Sequence, residues 1–103
     1  APLGWLITVG AGGVLTELWR DTQCVLAPAS AQDLHGALQR LRIAPILNGY
    51  RGKPAADIES LVSAILTLQQ HVVGSKLAEV ELNPVLVTTT SSVAVDALII
   101  EEI

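Results

Sequence analysis

Three polar side chains at alternate positions in an apolar run are the first residues of this sequence that could do chemistry. Glu79, Glu81 and Asn83 lie within the run LAEVELNPVLV, and Pro84 follows them directly. Alternate side chains of a β-strand point to the same face, so these three share one face, whereas Val80 and Leu82 point to the other. The spacing therefore predicts a strand with one polar face and one apolar face that packs on the rest of the protein.

A second strand-like run, SVAVDALII, brings one further charge, Asp96, into play. The short segment TTTS separates the two runs, which favours a hairpin. If the hairpin turns symmetrically about Thr89 and Thr90, facing residues have numbers that add to 179, so that Asn83 faces Asp96. We therefore expect Glu81, Asn83 and Asp96 to share one face of the sheet.

The chemistry of this trio is that of a hard cation site. Two carboxylates held close together repel each other, and the pKa of each rises, unless a cation neutralises them. Carboxylate and amide oxygens suit Mg²⁺, which keeps several waters and takes its other ligands from substrate phosphates. The alternative is a set of solvated residues on the open face of an antiparallel sheet. Pro84 favours the site, because a proline within a strand indicates an edge or a bulge, and bulges often re-aim side chains near sites.

The first half of the chain supplies the elements that must support this hairpin. Residues 4–10 and 14–19 are predicted strands on either side of a glycine loop, and residues 22–27 form a third, shorter strand. Ser30 is a predicted N-cap with Asp33 three positions later, as in a capping box. The helix that follows has one apolar stripe, formed by Leu34, Ala37, Leu38 and Leu41.

Residues 45–54 contain two glycines and two prolines and are predicted to be a loop, with Pro54 as the first residue of the next helix. That second, longer amphipathic helix ends near Gly74. The order strand, strand, short strand, helix, helix, strand, strand predicts an α+β fold: a two-layer arrangement of an antiparallel sheet with two helices on one face. One domain accounts for all 103 residues.

Charge and hydropathy exclude several classes of function. The chain has ten acidic and six basic residues without a basic cluster, so we expect no nucleic-acid partner. No apolar run reaches the roughly 18 to 20 residues that span a bilayer, and we expect a cytoplasmic protein without a membrane partner. The single cysteine, Cys24, lies in an apolar run, where we expect a small buried hydrophobe rather than a nucleophile.

Taken together, the motifs resemble the C-terminal half of the ATP-grasp domain in NDP-forming acyl-CoA synthetases, which are relatives of the succinyl-CoA synthetase β subunit. The resemblance rests on five stretches in the family's order, which cover nearly the whole chain: GAGGVLTELWRD, LAP, NGYRGKPAADIESL, EVELNPVLV and VAVDALI. It implies that residues 1–103 are the C-terminal lobe of a larger enzyme's ATP-grasp domain.

The resemblance also assigns site residues. In the family the acidic residue and the Asn before the proline, with the Asp of the next strand, hold Mg²⁺ for the nucleotide, which here means Glu81, Asn83 and Asp96. Many members have Asp where Glu81 stands, and the succinyl enzymes have Glu.

Four further residues are candidates for binding the nucleotide. Gly12 and Gly13 could let backbone N–H groups approach a phosphate, although a turn is the simpler interpretation. Glu17 matches a family Glu, with a surface Glu as the alternative. Arg51 lies between two glycines, where its guanidinium could reach a phosphate or a carboxylate, or could simply be solvated.

The implied reaction joins a carboxylic acid to CoA with ATP, through an acyl phosphate and a phosphohistidine, and gives acyl-CoA, ADP and phosphate. Mg²⁺ and ATP or ADP are the implied cofactors, and CoA is a substrate of the parent enzyme. The implied partner is a CoA-binding domain or subunit, and assembly into an oligomer stays open. We assign no catalytic residue here and expect the chain alone to be inactive. The alternative is a regulatory acyl-CoA-synthetase-like module, for example one fused to a protein acetyltransferase.

Overall fold

The computed structural model describes residues 5–12, 20–82, 85–95 and 97–101. Its six strands and three helices, in chain order, are β1 (Leu6–Gly10), β2 (Thr22–Leu26), α1 (Ala31–Gln39), α2 (Ala44–Leu47), α3 (Ile58–Val72), β3 (Leu77–Leu82), β4 (Val85–Val87), β5 (Ser92–Ala94) and β6 (Ala97–Glu101). The predicted strand over residues 14–19 lies outside the described residues. Among the described residues, no helix has both the length and the apolar character that a membrane span requires.

Strands β1 and β2 form an antiparallel pair whose register runs from Leu6 opposite Leu26 to Gly10 opposite Thr22. One face of the pair, which carries Ile7, Val9 and Val25, packs against the core. The alternation of half-buried and exposed residues along both strands follows from the two-residue period of a β-strand.

Cys24 lies on the opposite, outward face of this pair, so the prediction that it is buried was wrong. Its thiol is exposed and lies 3.4 Å from the Thr8 hydroxyl of the facing residue. Leu6 and Leu26 share that face and are 58% and 73% exposed. The apolar run around Cys24 therefore reflects a strand that is apolar on both faces, only one of which the described part of the chain covers.

Helix α1 begins where the sequence predicted, through a complete capping box. The Ser30 hydroxyl accepts from the Asp33 backbone N–H at 3.0 Å, and the Asp33 carboxylate accepts from the Ser30 backbone N–H at 3.1 Å. The predicted apolar stripe is buried, with Leu34 fully inaccessible. The buried core consists of Ala29, Leu34, Leu38, Leu41 and Val62.

The segment between the helices departs from the prediction in two ways. Residues 44–47 form the one-turn helix α2, with Pro45 in its first turn, where a missing N–H costs nothing. Helix α3 begins at Ile58 and not at Pro54, because the Asp57 carboxylate caps it by accepting from the Ser60 backbone N–H at 3.0 Å. The preceding residue, Ala56, instead donates its N–H to the Leu47 carbonyl at 2.8 Å.

Helix α3 lies between the β1–β2 pair and the C-terminal hairpin. At its C-terminal half the Gln69 amide binds both backbone groups of Ala29, accepting at 2.6 Å and donating at 3.0 Å. At its N-terminal half the hydroxyls of Ser60 and Ser92 lie 2.9 Å apart, and Asp57 donates its N–H to the Thr88 carbonyl at 2.7 Å. Helix α3 is therefore bonded to the segment before α1 at its C-terminal half and to the hairpin at its N-terminal end.

The predicted α+β class, with antiparallel strands and helices against them, is confirmed. Within the described residues the strands pair as three two-stranded ladders, β1–β2, β3–β6 and β4–β5. The last two ladders are successive parts of one hairpin, which turns at residues 88–91 with a Thr88 N–H to Ser91 carbonyl bond of 2.8 Å. The described part of the hairpin is thus split at residues 83–84 and 96.

Candidate functional site

The register of the hairpin is the one that the sequence predicts. Facing pairs in β4–β5, such as Val85 with Ala94, have numbers that add to 179. The same sum holds in β3–β6, where Glu81 faces Leu98, and it changes only at a bulge near Leu77. The register prediction is therefore confirmed for the described pairs on both sides of the gap. Asn83 and Asp96 lie outside the described residues, so their own pairing stays a prediction.

Glu81 lies on the outward face of the hairpin. It is exposed, as is Glu79 two positions earlier on the same face of β3. The residue between them, Val80, is half-buried and lines a cavity with Ile65 and Gln69 of α3. The predicted division of β3 into a polar outer face and an apolar inner face is thus confirmed at these positions, although Leu82 at the end of the strand is 36% exposed.

The face that the hairpin turns toward α3 changes between its two ladders. Val80 is directed toward α3 in β3, and Val87, which pairs with Ser92, is on the α3 face in β4, because Ser92 contacts Ser60. These two valines are seven positions apart, an odd number, which in a regular strand would place them on opposite faces. The alternation therefore shifts by one residue between Leu82 and Val85. Because facing residues add to 179 on both sides, no extra residue is inserted in one strand alone, and the two strands change face together. The bulge expected at Pro84 lies outside the described residues and stays a prediction.

Among the described residues, no three His, Cys, Asp or Glu side chains lie close enough to hold a metal ion together. Glu81 is the one member of the predicted metal trio that is described, and it presents a solvent-exposed carboxylate, a ligand type that fits Mg²⁺. The change of face occurs next to it. The strand geometry around Glu81 thus differs from that of an ordinary exposed strand.

The predicted glycine loop begins at the end of β1. Gly10 is needed for packing, because a Cβ there would lie 2.8 Å from the Thr22 methyl carbon. Gly12 is exposed, and a Cβ there would have no atom within 4 Å, so its backbone is open to a ligand. Gly13 and Glu17 lie outside the described residues, and their predicted roles stay predictions.

Asp21 is a residue that the sequence analysis did not single out. It is 6% exposed and is the one buried charged side chain among the described residues. Its two carboxylate oxygens accept from the backbone N–H groups of Arg42 at 2.7 Å and Ile43 at 3.0 Å. Its carbonyl accepts from the Ala11 N–H at 2.9 Å. Asp21 therefore connects the glycine loop to the segment between α1 and α2. The one sequence feature that could have indicated this role is that Asp21 is a lone acidic residue at the start of an apolar strand.

Arg51 is at the tip of a tight turn over residues 50–53. The Lys53 N–H donates to the Tyr50 carbonyl at 3.1 Å, and the two residues form an isolated β-bridge. Both central residues have positive φ, 51° for Arg51 and 78° for Gly52. This is the pattern of a type I′ turn. The Arg51 side chain is exposed, as a ligand-binding role requires.

A cavity of about 110 Å³ lies between β1, α3 and β3. Its lining includes Trp5, Ile7, Ile65, Val72 and Val80 and is mainly apolar. It is on the opposite face of β3 from Glu81. The described residues of its lining include none of the charged groups that a nucleotide phosphate would need, so we assign it to packing.

Comparisons with known proteins identify the family to which this fold belongs. The sequence model of the ATP-grasp domain family matches residues 1–100. The β subunit of ADP-forming acetate–CoA ligase II from Pyrococcus furiosus is 35% identical over 101 residues, which are 94% of this chain and 43% of that subunit. A trans-feruloyl-CoA synthase, FCS1, from an unknown prokaryotic organism is 33% identical over 102 residues, 96% of this chain and 14% of that protein.

A solved structure gives the same fold. The dinucleotide-forming acetyl-coenzyme A synthetase 1 of Ca. Korarchaeum cryptofilum, in complex with coenzyme A and Mg-AMPPCP, superposes with a TM-score of 0.86 at 34% identity, over 94% of this chain and 46% of that chain. The chain thus spans less than half the length of each of these relatives. The resemblance to NDP-forming acyl-CoA synthetases is confirmed, and the chain belongs to the ATP-grasp domain family.

Proposed function

We propose that this chain is the C-terminal, nucleotide- and Mg²⁺-binding half of the ATP-grasp domain of an NDP-forming acyl-CoA synthetase. The parent enzyme would join a carboxylic acid to CoA at the expense of ATP and release ADP and phosphate. The observation that carries the proposal is the hairpin register, which keeps the same sum on both sides of residues 83–84 and 96. Continued across the gap, that register pairs Asn83 with Asp96, two positions along the strand from Glu81.

The size of the uncovered surface supports the view that the chain is one part of a larger domain. Its accessible surface is 7319 Å², about a third more than the roughly 5,500 Å² expected for a compact protein of its mass. Much of the excess is apolar: Leu98, Ile99 and Ile100 of β6 are 48%, 59% and 41% exposed. A second lobe of the same domain would cover such surface, in keeping with the greater length of the relatives.

Each proposed site residue has a distinct task. Glu81, Asn83 and Asp96 would hold Mg²⁺ through carboxylate and amide oxygens. Gly12 and Gly13 would let backbone N–H groups approach a phosphate, and Glu17 and Arg51 would complete the nucleotide site. The chemistry that Mg²⁺ supplies when bound is neutralisation of the phosphate charge.

The partner that completes the reaction would be a CoA-binding domain or subunit. Phosphoryl transfer of this type depends mostly on positioning and electrostatics, so this chain would contribute binding, and the phosphohistidine would come from elsewhere in the enzyme. The Korarchaeum structure contains a phosphohistidine segment that points towards the nucleotide binding site of that protein. This supports an arrangement in which this chain binds the nucleotide and another part of the enzyme carries the phosphohistidine.

Calorimetric titration of Mg²⁺–ADP into the protein expressed from its full coding sequence tests the proposal. Asp96→Ala should weaken Mg²⁺–ADP binding about tenfold or more, since it removes one of the two carboxylates proposed to hold the cation. Glu79→Ala is the matched control, because Glu79 shares the strand and the face of Glu81 but is not in the predicted trio, and its affinity should be unchanged. Equal affinities for wild type and Asp96→Ala would refute the assignment.

A further inference from the structure

Two cations that have no ion-pair partner among the described residues lie in one four-residue turn, Tyr50–Lys53, which we refer to as the tip turn. Arg51 and Lys53 are both exposed, and they are two of only six basic residues in a chain of net charge −4. Within the described ranges, the one ion pair is between His35 and Glu59, so no described carboxylate neutralises the tip turn. An uncompensated pair of cations on an acidic protein creates a local site of positive potential.

The backbone of the tip turn is strained at the residue that carries the guanidinium. Arg51 has φ of 51°, in the left-handed region where an L side chain other than Asn or Asp is uncommon. Gly or Asn at that position would serve a purely connecting turn better. Strained residues of this kind concentrate at binding sites, where the surrounding structure maintains them.

The surrounding structure does hold this turn in place. Gly49, with φ of 99°, lets the base of the turn close, because a Cβ there would lie 3.2 Å from the Lys53 carbonyl oxygen. The side-chain amides of Asn48 and Gln39 bond reciprocally at 2.7 and 3.1 Å, which ties the segment just before the turn to α1. A binding group on such a base loses little conformational entropy when a ligand arrives.

An aromatic ring also restrains the guanidinium. The Arg51 Cζ lies 5.3 Å from the centroid of the Tyr50 ring, within the range of a cation–π contact. The Tyr50 ring is itself 50% exposed. Ring and turn together present Arg51 with its planar fork of donors beside the point charge of Lys53, a combination that suits a multiply charged phosphate better than a single carboxylate.

We propose that the tip turn is a phosphate-binding site for an adenine nucleotide that acts independently of the metal. This inference rests on the proposed function, because it specifies which group of the same nucleotide-dependent enzyme would bind a phosphate without the metal. The phosphate could belong to ADP or to the 3′-phosphate of CoA, which share the same charged group.

The test measures ligand binding to the complete protein in EDTA, so that no metal contributes. Arg51→Asn removes the cation and keeps a residue that accepts positive φ, and Gly52→Asn is the matched control that changes the turn but keeps both cations. Arg51→Asn should weaken metal-free ADP or CoA binding about tenfold and reduce its dependence on salt, while the thermal midpoint stays equal or rises. Gly52→Asn should bind as wild type does.

The ligands distinguish the two phosphate sources. If Arg51→Asn weakens ADP binding, the turn binds the diphosphate; if it weakens binding of CoA but not of dephospho-CoA, the turn binds the 3′-phosphate. Unchanged affinity of Arg51→Asn for all three ligands would overturn the inference. That result is separate from the fate of the proposed function, which depends on the Mg²⁺-dependent affinity of Asp96→Ala. Arg51→Gly repeats the test with the strain removed altogether.

Discussion

Replacement of Asp21 by alanine should destabilise the protein strongly, although Asp21 is not in the candidate site. Its buried carboxylate is the acceptor for two backbone N–H groups, those of Arg42 and Ile43. Alanine removes both bonds and leaves two partly buried donors without their partner. A hydrogen bond to a charged group contributes about 1.5 to 3 kcal/mol, so we expect a loss of about 3 to 5 kcal/mol in the free energy of unfolding.

Two measurements on the complete protein check this magnitude. Urea unfolding gives the loss of stability, and hydrogen exchange of the peptide that contains Arg42 and Ile43 locates it. Glu59→Ala is the control, because its carboxylate is 83% exposed in its pair with His35 and a surface pair contributes only about 0 to 1 kcal/mol. If Asp21→Ala unfolds within about 0.5 kcal/mol of Glu59→Ala, the carboxylate does not hold the segment as described.

Three further outcomes follow from the structure. Leu34→Ala should cost about 2 to 5 kcal/mol in urea unfolding, whereas Leu26→Ala, at a position 73% exposed, should stay within about 0.5 kcal/mol; similar losses would contradict the assigned core. The Ser30 backbone N–H, and then its side chain, hold the pKa of Asp33 below its ordinary value. The difference in unfolding free energy between wild type and Asp33→Asn should therefore be full above about pH 4 and vanish as the pH falls through the lowered pKa. A pH-independent difference would exclude this cause. Gly12→Ala should leave the thermal midpoint unchanged, because a Cβ there meets no atom, but should weaken Mg²⁺–ADP binding in calorimetry if the loop backbone approaches a phosphate.

Features fixed by neighbouring residues could be predicted from the sequence. The capping box of α1 involves Ser30 and Asp33, three positions apart, and no distant contact is needed to form it. The hairpin register is set by the turn at Thr88–Ser91, so the length of TTTS was enough to predict which residues face each other. The same local reasoning identified the polar face of β3.

Features that depend on distant contacts could not be predicted in this way. The N–H of Ala56 bonds to the Leu47 carbonyl, nine positions earlier, which holds this residue outside α3. The Asp57 cap on Ser60, by contrast, is a local signal that the prediction of a start at Pro54 missed. Cys24 is exposed because alternation indicates which residues share a face but not which face is covered. The same limit applies wherever a strand is apolar on both sides.

The candidate site combines both kinds of feature. The described residues show a change of face between Leu82 and Val85 with the register kept, while the bulge predicted at Pro84 lies outside the described residues and stays a prediction. The buried role of Asp21 had no comparable signal, because its partners lie 21 and 22 positions away in the chain. Local sequence therefore indicated the register of the hairpin better than the contacts of Asp21 that support the glycine loop.

The central claim is that the C-terminal hairpin holds a divalent cation between Glu81, Asn83 and Asp96. The most direct measurement is anomalous diffraction from crystals of the complete protein grown with Mn²⁺ and ADP. We predict an anomalous peak at coordination distance, about 2.0 to 2.2 Å, from carboxylate oxygens of residues 81 and 96. A peak bound elsewhere, with these two side chains on opposite faces of the hairpin, would contradict the account.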